Sequence, residues 1–400
     1  MDQKNETGDE KTKLNKNNDE SKETKKEIKT ESNSKLFHCL EWFFKYLIST
    51  LMGFIFGFAM EKAHVYEPFV IRQQMILKRF IMLKMFLAAL ATSIVCILFI
   101  SLIFKQKYSR VFQSGKDALK SKSIQILITG GLLIGFGMQI SGSCPGMVLV
   151  QLGAGVPWSY ITLCGAFCGA LIHGLFYATN SNNNNNNPIA SKALFEIIKI
   201  INPTIIRIIF IIMLGLIVFL FEYFFLWTND INNAIVDNSS NVFIYKAWPP
   251  YICGILLGSL QLVSLLILEK SIGASSFYST IMGVPICTKY LKDKFPYLAK
   301  FRSGLQMWLS LAFTIGCILG AFTSSYISGS FGQSMGVHPY NAFLGGFVMV
   351  FGARLAGGCT SGHGISGCSH QFIGSFITTA SMFAGAFILA FYAYTNNFFL

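Results

Sequence analysis

The chain has 400 residues, of which 52% are hydrophobic and only 13% are charged, and its formal net charge is +13. Soluble globular domains carry about 25% charged residues, so this composition excludes an ordinary soluble protein. Several apolar runs reach the roughly 20 residues that a helix needs to cross a bilayer, and we therefore expect an all-α, polytopic membrane protein.

Residues 1–35 contain nine Lys/Arg and nine Asp/Glu with almost no apolar side chains. Such a segment cannot bury enough apolar surface to fold, so we expect a disordered, charged tail on the cytoplasmic side. The excess positive charge falls on the rest of the chain, mainly on loops 105–122 and 289–302. Basic loops beside membrane spans tend to stay cytoplasmic. Nucleic-acid binding is disfavoured, because these clusters are short and adjoin hydrophobic runs.

Nine apolar runs are candidate transmembrane helices. They cover residues 41–60, 80–104, 123–140, 157–179, 204–227, 247–268, 303–328, 337–353 and 369–394. Shorter apolar pieces at 68–77, 146–153 and 274–287 cannot cross alone. They predict short broken or re-entrant helices, which a membrane protein tolerates only where the freed backbone is buried in protein.

The order of these elements indicates an internal duplication. A GxxxG pattern begins each half, at Gly53–Gly57 and at Gly254–Gly258. Small residues four apart let two membrane helices approach closely. In each half a short polar piece, a long helix and a cysteine block follow. We predict two inverted membrane repeats, residues 36–180 and 190–400, joined by an asparagine-rich linker at 181–189.

Two glycine-rich blocks, each centred on one cysteine, carry the most information. The first covers residues 135–146 and the second residues 351–364. A shift of 215 residues superposes Gly137 on Gly352 and Gly142 on Gly357, and it aligns Cys144 with Cys359. Glycine and Pro145 interrupt a helix, and the half-helix that follows presents free N–H groups and a positive dipole end. Proline suits the first turn of such a half-helix. Each block is thus expected to be an anion-binding turn with a thiol at its tip.

We expect both thiols to be neutral, because burial disfavours a thiolate, and to donate weak hydrogen bonds to a passing anion. The residues expected to bind the anion are these thiols and their polar and glycine neighbours: Cys144, Cys359, Arg354, His363, Ser361, Gln139, Gly142, Gly146, Gly358 and Gly362. An arginine inside a membrane requires a partner, either a carboxylate such as Glu269 or the substrate. His363 is either a donor to the anion or a cap of the broken helix.

A soft-metal site is the alternative use of the second block. Cys359, His363, Cys368 and His370 are ligands of the right type, but their spacing matches no rigid ligand set. We expect neither a metal ion nor a cofactor.

The segment Phe351–Gly367 resembles the signature of the YeeE/YedE family of sulfur-transport membrane proteins, and residues 135–155 resemble its first-half counterpart. The resemblance covers residues 45–395. It implies inverted repeats, short hairpins that meet at a central constriction, and uptake of thiosulfate along cysteine thiols, with Cys144 and Cys359 as two of them. The family places a further cysteine in the first hairpin, where this chain has none. His64 or Tyr66 are the alternative donors there.

The sequence therefore predicts a multi-pass transporter of thiosulfate or a related sulfur-containing anion, not an enzyme, in the plasma membrane rather than an organelle membrane. Its partners would be the anion, the lipid bilayer and a cytoplasmic sulfurtransferase, and no nucleic acid. A membrane sulfurtransferase with a reactive cysteine is one alternative, since an activated thiolate accepts sulfur covalently. A transporter of soft metal ions is the other.

Overall fold

The computed structural model describes residues 37–177, 189–198, 201–231, 247–270, 273–302 and 304–396. The predicted tail lies outside these residues, as does nearly all of the predicted asparagine-rich linker. Residues Ile48–Leu400 form one compact unit. In the unit before it, the described residues are the first turns of helix α1, where Lys45 pairs with Glu41 at 2.5 Å.

The described residues are almost entirely helical. In chain order the helices are α1 Phe37–Lys62, α2 Pro68–Met75, α3 Ile81–Ile103, α4 Lys105–Lys120, α5 Ile124–Ser141, α6 Met147–Gly153, α7 Ser159–Phe176, α8 Leu194–Ile197, α9 Pro203–Phe224, α10 Trp227–Asp230, α11 Pro250–Leu268, α12 Ser276–Gly283, α13 Lys289–Lys294, α14 Pro296–Arg302, α15 Leu305–Ile327, α16 Pro339–Ala356, α17 Thr360–Gly367 and α18 Ile373–Thr395. Among these residues the sole β-type pairing is an isolated bridge between Ala193 and Phe372.

Eight of these helices are long and apolar enough to cross a membrane: α1, α3, α5, α7, α9, α11, α15 and α18. The pair α16 and α17, bent by 43° at its break, is either a ninth, broken span or a re-entrant segment. The all-α membrane fold with about nine spans and a broken helix is therefore confirmed in the described part of the chain.

Local sequence explains where several spans begin. Ser123 caps α5 and Asn202 caps α9, each accepting a hydrogen bond from a backbone N–H two or three residues later. Proline is the first residue of α9, α11 and α16. At that position the missing N–H has no partner inside the helix, so proline weakens nothing.

Glycines allow the spans to touch backbone to backbone. A Cβ atom added at Gly53 or Gly57 of α1 would overlap carbonyl oxygens of α15. Added at Gly254 or Gly258 of α11, it would overlap backbone atoms of α3. Glycines of α15, at positions 316 and 320, meet α1 in the same way. The two GxxxG patterns thus place α1 on α15 and α11 on α3.

Other helix contacts also occur in pairs, each of which joins the first half of the chain to the second. The two predicted repeats would pair α1 with α11, α2 with α12, α3 with α15, α5 with α16, α6 with α17, and α7 with α18. The contact of α5 with α18 then corresponds to the contact of α16 with α7. The contact of α6 with α15 likewise corresponds to the contact of α17 with α3. Helices α5 and α16 pack on each other. Most helix contacts thus join the first half of the chain to the second.

Helix α9 has no counterpart in this order and packs on α3. Only 17% of its most apolar window is buried, as expected of a helix that faces lipid. A buried ion pair between Lys84 of α3 and Glu222 of α9, at 2.8 Å, joins the two helices. Near the other end of α9, Arg207 donates to Ser101 and Tyr108.

Replacement of Gly57 by alanine tests the backbone contact. The added Cβ would overlap the Cys317 carbonyl. We expect the free energy of unfolding to fall by about 1–3 kcal/mol, which is typical of overpacking. The measurement is the thermal unfolding midpoint of the purified protein in detergent. Gly215 of α9 is the matched control, because its Cβ would meet no atom within 4 Å. Alanine there should leave the midpoint unchanged or raise it, and equal behaviour of the two variants would contradict the packing described.

Candidate functional site

Both cysteines lie in a turn that follows the end of a spanning helix. Helix α5 ends at Gly142 and α16 ends at Gly357, each in the left-handed conformation, with φ of 60° and 85°. Only glycine adopts this conformation without strain, which explains a glycine at each helix end. Cys144 and Cys359 follow two residues later. Helix α6 begins at Met147, so Pro145 lies in the turn before it rather than in its first turn.

A cation caps each of the two helix ends. Arg72 of α2 donates to the carbonyls of Gln139 and Ile140 in the last turn of α5. Lys122, just before α5, donates to the Leu355 carbonyl of α16 at 3.1 Å. Ile140 and Leu355 occupy equivalent positions in the two blocks. Positive charge at a helix C-terminus balances the negative end of the dipole and satisfies carbonyls that have no partner in the helix.

The two thiols are buried and lie in one neighbourhood. Cys144 is 8% exposed and Cys359 is 1% exposed. The Cys144 sulfur lies beside the hydroxyl of Thr360, the residue after Cys359, and the two thiols interact electrostatically. The Cys359 sulfur is 3.3 Å from the Ser361 hydroxyl. Helix tips from the two halves of the chain therefore bring both thiols together.

Backbone N–H groups face both sulfur atoms. Cys144 lies beside the N–H groups of Gly146 and Met147. Cys359 lies beside the N–H of Gly362. A polar atom at the position of either thiol thus finds amide donors as well as a hydroxyl.

Tyr278 of α12 is a member of this site that the sequence reasoning missed. Its side chain is fully buried, and its hydroxyl donates to the Pro145 carbonyl at 2.6 Å. It also interacts electrostatically with Cys144 and Cys359. The available signal was its place in the short apolar piece 274–287. Cys287 is exposed and lies beyond the end of α12.

Arg354 is held by hydroxyls of α12 and its N-terminal turn. The side chain is 5% exposed and donates to Ser275 at 2.6 Å and to Ser279 at 3.3 Å. Its Nε has no hydrogen-bond partner. Glu269, the carboxylate considered as its partner, instead accepts from Arg110 at 3.0 Å. Of the two alternatives for Arg354, the geometry leaves a place for an anion.

A cavity of about 390 Å³ lies beside these tips. Four predicted site residues line it, namely Arg354, Gly358, Gly362 and His363. The other six predicted residues do not line it: Cys144, Cys359, Ser361, Gln139, Gly142 and Gly146. Gly362 connects the cavity to the thiols, since a Cβ on it would be 3.9 Å from the Cys359 sulfur.

Two predicted residues stand apart from the thiols. Gln139 is buried in the last turn of α5, and its side-chain oxygen has no partner. The His363 Nδ1 lies 3.2 Å from the Ser375 hydroxyl of α18, and its Nε2 has no partner. His363 therefore reaches the cavity wall with one free ring nitrogen.

Positive charge is concentrated at the cavity. Burial lowers the pKa of Lys270, which lines the cavity, and the positive charge of Arg354 lowers it further. Burial and then Arg354 likewise lower the pKa of Lys122. Each lowered pKa means that the protonated form is disfavoured, first by burial and then by the neighbouring Arg354 cation. An anion in the cavity would reverse this effect.

The residues considered for a soft-metal site do not converge. Within the described ranges, no three His, Cys, Asp or Glu side chains are placed to share a metal ion. The Cys368 sulfur lies 3.6 Å from the Thr379 hydroxyl, and His370 packs among the rings of Tyr108 and Phe372.

The first hairpin, which lacks the family's further cysteine, carries His64 and Tyr66. His64 lies 3.0 Å from a Glu67 oxygen. The Tyr66 carbonyl accepts from Gln151 of α6, which also donates to the Gly142 carbonyl. This hairpin is therefore joined to the first cysteine turn through the side-chain amide of Gln151.

Burial predicts the reactivity of the cysteines. At pH 7 we expect N-ethylmaleimide to modify exposed Cys287 much faster than Cys144 or Cys359, because buried thiols are inert. Peptide mass spectrometry over a time course of the native protein measures each rate. Modification of Cys359 as fast as that of Cys287 would indicate a reactive thiolate, as the sulfurtransferase alternative requires.

Comparison with known proteins agrees with this geometry. The sequence model of the family described as "Sulphur transport" matches residues 62–388. The thiosulfate transporter TsuA of Spirochaeta thermophila is 23% identical over 360 residues, which cover 85% of this chain and 96% of that protein. A probable transporter of Xylella fastidiosa is 28% identical over 134 residues, which cover 33% of this chain and 84% of that protein. The match includes both cysteine blocks and confirms the expectation of a multi-pass transport protein rather than an enzyme: the chain belongs to the sulphur transport family.

Proposed function

We propose that this protein takes up thiosulfate or a related sulfur-containing anion across the plasma membrane, and that neutral cysteine thiols relay the anion along its path. The observation that carries the proposal is the meeting of two buried thiols, each at the tip of an interrupted span, beside a cationic cavity. The similarity to a thiosulfate transporter over most of both chains supports the choice of anion.

The narrowest part of the pathway lies between Cys144 and Cys359. Neutral S–H groups are weak donors, and sulfur is a soft partner for the terminal sulfur of thiosulfate. The amide N–H groups beside the thiols add further donors. The Ser361 hydroxyl next to Cys359 extends this set. An anion can thus exchange part of its hydration shell for fixed donors.

The glycines and polar neighbours act around this step. Gly142, Gly146, Gly358 and Gly362 let the backbone approach the anion closely. Arg354 attracts the anion to the cavity side, and His363 offers its free ring nitrogen there. Gln139 is the neutral counterpart of Arg354 in the first half, so attraction is stronger on the Arg354 side.

Two inverted repeats account for this arrangement. Helix contacts that exchange between the halves are those that a two-fold axis in the membrane plane would generate, with the site on the axis. Basic segments of α4 and α14 lie near Arg354: Arg110 pairs with Glu269 of the cavity wall, and Phe301 stacks on Arg354. The positive-inside rule places this end in the cytoplasm. A cytoplasmic sulfurtransferase that accepts the anion would act at the same end.

Replacement of either block cysteine tests the relay. Cys144→Ala and Cys359→Ala should each reduce uptake of radiolabelled thiosulfate to the background level, because a donor at the constriction is lost. The host is a strain that cannot take up sulfate, with thiosulfate as its sole sulfur source. Cys164→Ala is the matched control, since Cys164 is exposed on α7. Uptake that persists in the double variant at normal expression would refute the relay.

Tyr278→Phe tests the positioning of Cys144. The change removes only the hydroxyl that holds the Pro145 carbonyl, a hydrogen bond with a net value of about 0.5–1.5 kcal/mol. We expect slower uptake at a nearly unchanged thermal midpoint. Uptake equal to that of the unmodified protein would remove Tyr278 from the site.

A further inference from the structure

We propose that the cavity is an oxyanion site in its own right, which binds tetrahedral dianions such as sulfate from the cavity side without the two thiols. Neither Cys144 nor Cys359 lines it. The site would let oxyanions on that side slow the release of the transported anion. This regulatory consequence rests on the proposed function, whereas binding itself does not.

Residues that line the cavity carry buried nitrogen atoms without hydrogen-bond partners. These atoms are Nε of Arg354, Nε2 of His363 and both ring nitrogens of His370. These side chains are 5%, 6% and 2% exposed. Buried polar groups almost always have a hydrogen-bond partner. The Arg354 Nε–H can only donate, so this unpaired group on a residue of the cavity wall favours a ligand that accepts hydrogen bonds.

The charges at the wall favour an anion. Arg354 and Lys270 line the cavity, and Lys122 lies one layer behind through its bond to Leu355. Among the described lining residues Glu269 is the sole carboxylate, and it pairs with Arg110. The charge of Glu269 is thus balanced by Arg110, which does not line the cavity. Among the described residues, no carboxylate pairs with the cavity cations Arg354 and Lys270.

Size and surface agree with a hydrated tetrahedral ion. The volume of about 390 Å³ is many times the roughly 30 Å³ that one water occupies in the liquid, so the ion fits with part of its water shell. Glycines expose backbone along one wall, and the Ser275 hydroxyl, which accepts from Arg354, keeps its own proton as a neutral donor. Cations, hydroxyls and bare backbone together recognise oxygen atoms rather than a soft sulfur.

Binding of radiolabelled sulfate to the full-length protein in detergent tests the site. Equilibrium dialysis at constant ionic strength would compare the unmodified protein with Cys144→Ser/Cys359→Ser, Lys270→Gln and Lys270→Arg. We expect the thiol variant to bind sulfate normally and Lys270→Gln to bind about tenfold more weakly, since one charge-assisted hydrogen bond is lost. Lys270→Arg should restore binding. Lys289→Gln is the control, because Lys289 is exposed and outside the cavity.

Three results would overturn the proposal. They are the absence of saturable sulfate binding, loss of binding in the thiol variant, and unchanged binding in Lys270→Gln. Proteoliposomes separate this proposal from the transport proposal. Sulfate trapped on the cavity side should slow thiosulfate uptake by the unmodified protein and less so by Lys270→Gln. Intact sulfate binding with no thiosulfate uptake would contradict the proposed function alone.

Discussion

The last carbonyls of a helix have no partner inside the helix, and a buried helix end requires other groups to satisfy them. Helices α5 and α16 meet this constraint in the same way, with a left-handed glycine at the end and a cation on the last carbonyls. Arg72 serves α5 and Lys122 serves α16. Since each thiol lies two residues beyond such an end, the caps determine where Cys144 and Cys359 lie. The site depends on these two caps more than on contacts of the thiols themselves.

The cationic side chains and the neutral thiols occupy different parts of the site. A tyrosine and amide N–H groups lie beside the buried thiols, whereas Arg354 and Lys270 line the cavity. A fixed charge at the centre of a bilayer costs about 2.5–3.5 kcal/mol on insertion scales, and it would also retain an oppositely charged ion. Placing the cations at the cavity lowers the first cost, because serine hydroxyls satisfy the Arg354 guanidinium.

The spans were predictable because hydropathy over about 20 residues depends only on local sequence. The cysteine blocks were predictable because an internal duplication repeats Gly142 and Cys144 at Gly357 and Cys359. The caps were not, because no local pattern connects Arg72 to Ile140. Tyr278 was missed for the same reason, since its partner Pro145 is 133 positions away. Glu269 was considered for Arg354 because charges attract, but its bond to Arg110 depends on how α4 folds onto α11.

The glycine contacts have a consequence for motion. Helix α1 contacts α15 through backbone atoms, and α11 contacts α3 in the same way. The first and second halves of the chain are therefore in close backbone contact at several points. Swinging one half as a rigid body would pull apart surfaces that fit only at this separation. Movement of the short segments α2, α6, α12 and α17, each eight residues or fewer, would instead leave the glycine contacts of α1 with α15 and of α11 with α3 intact.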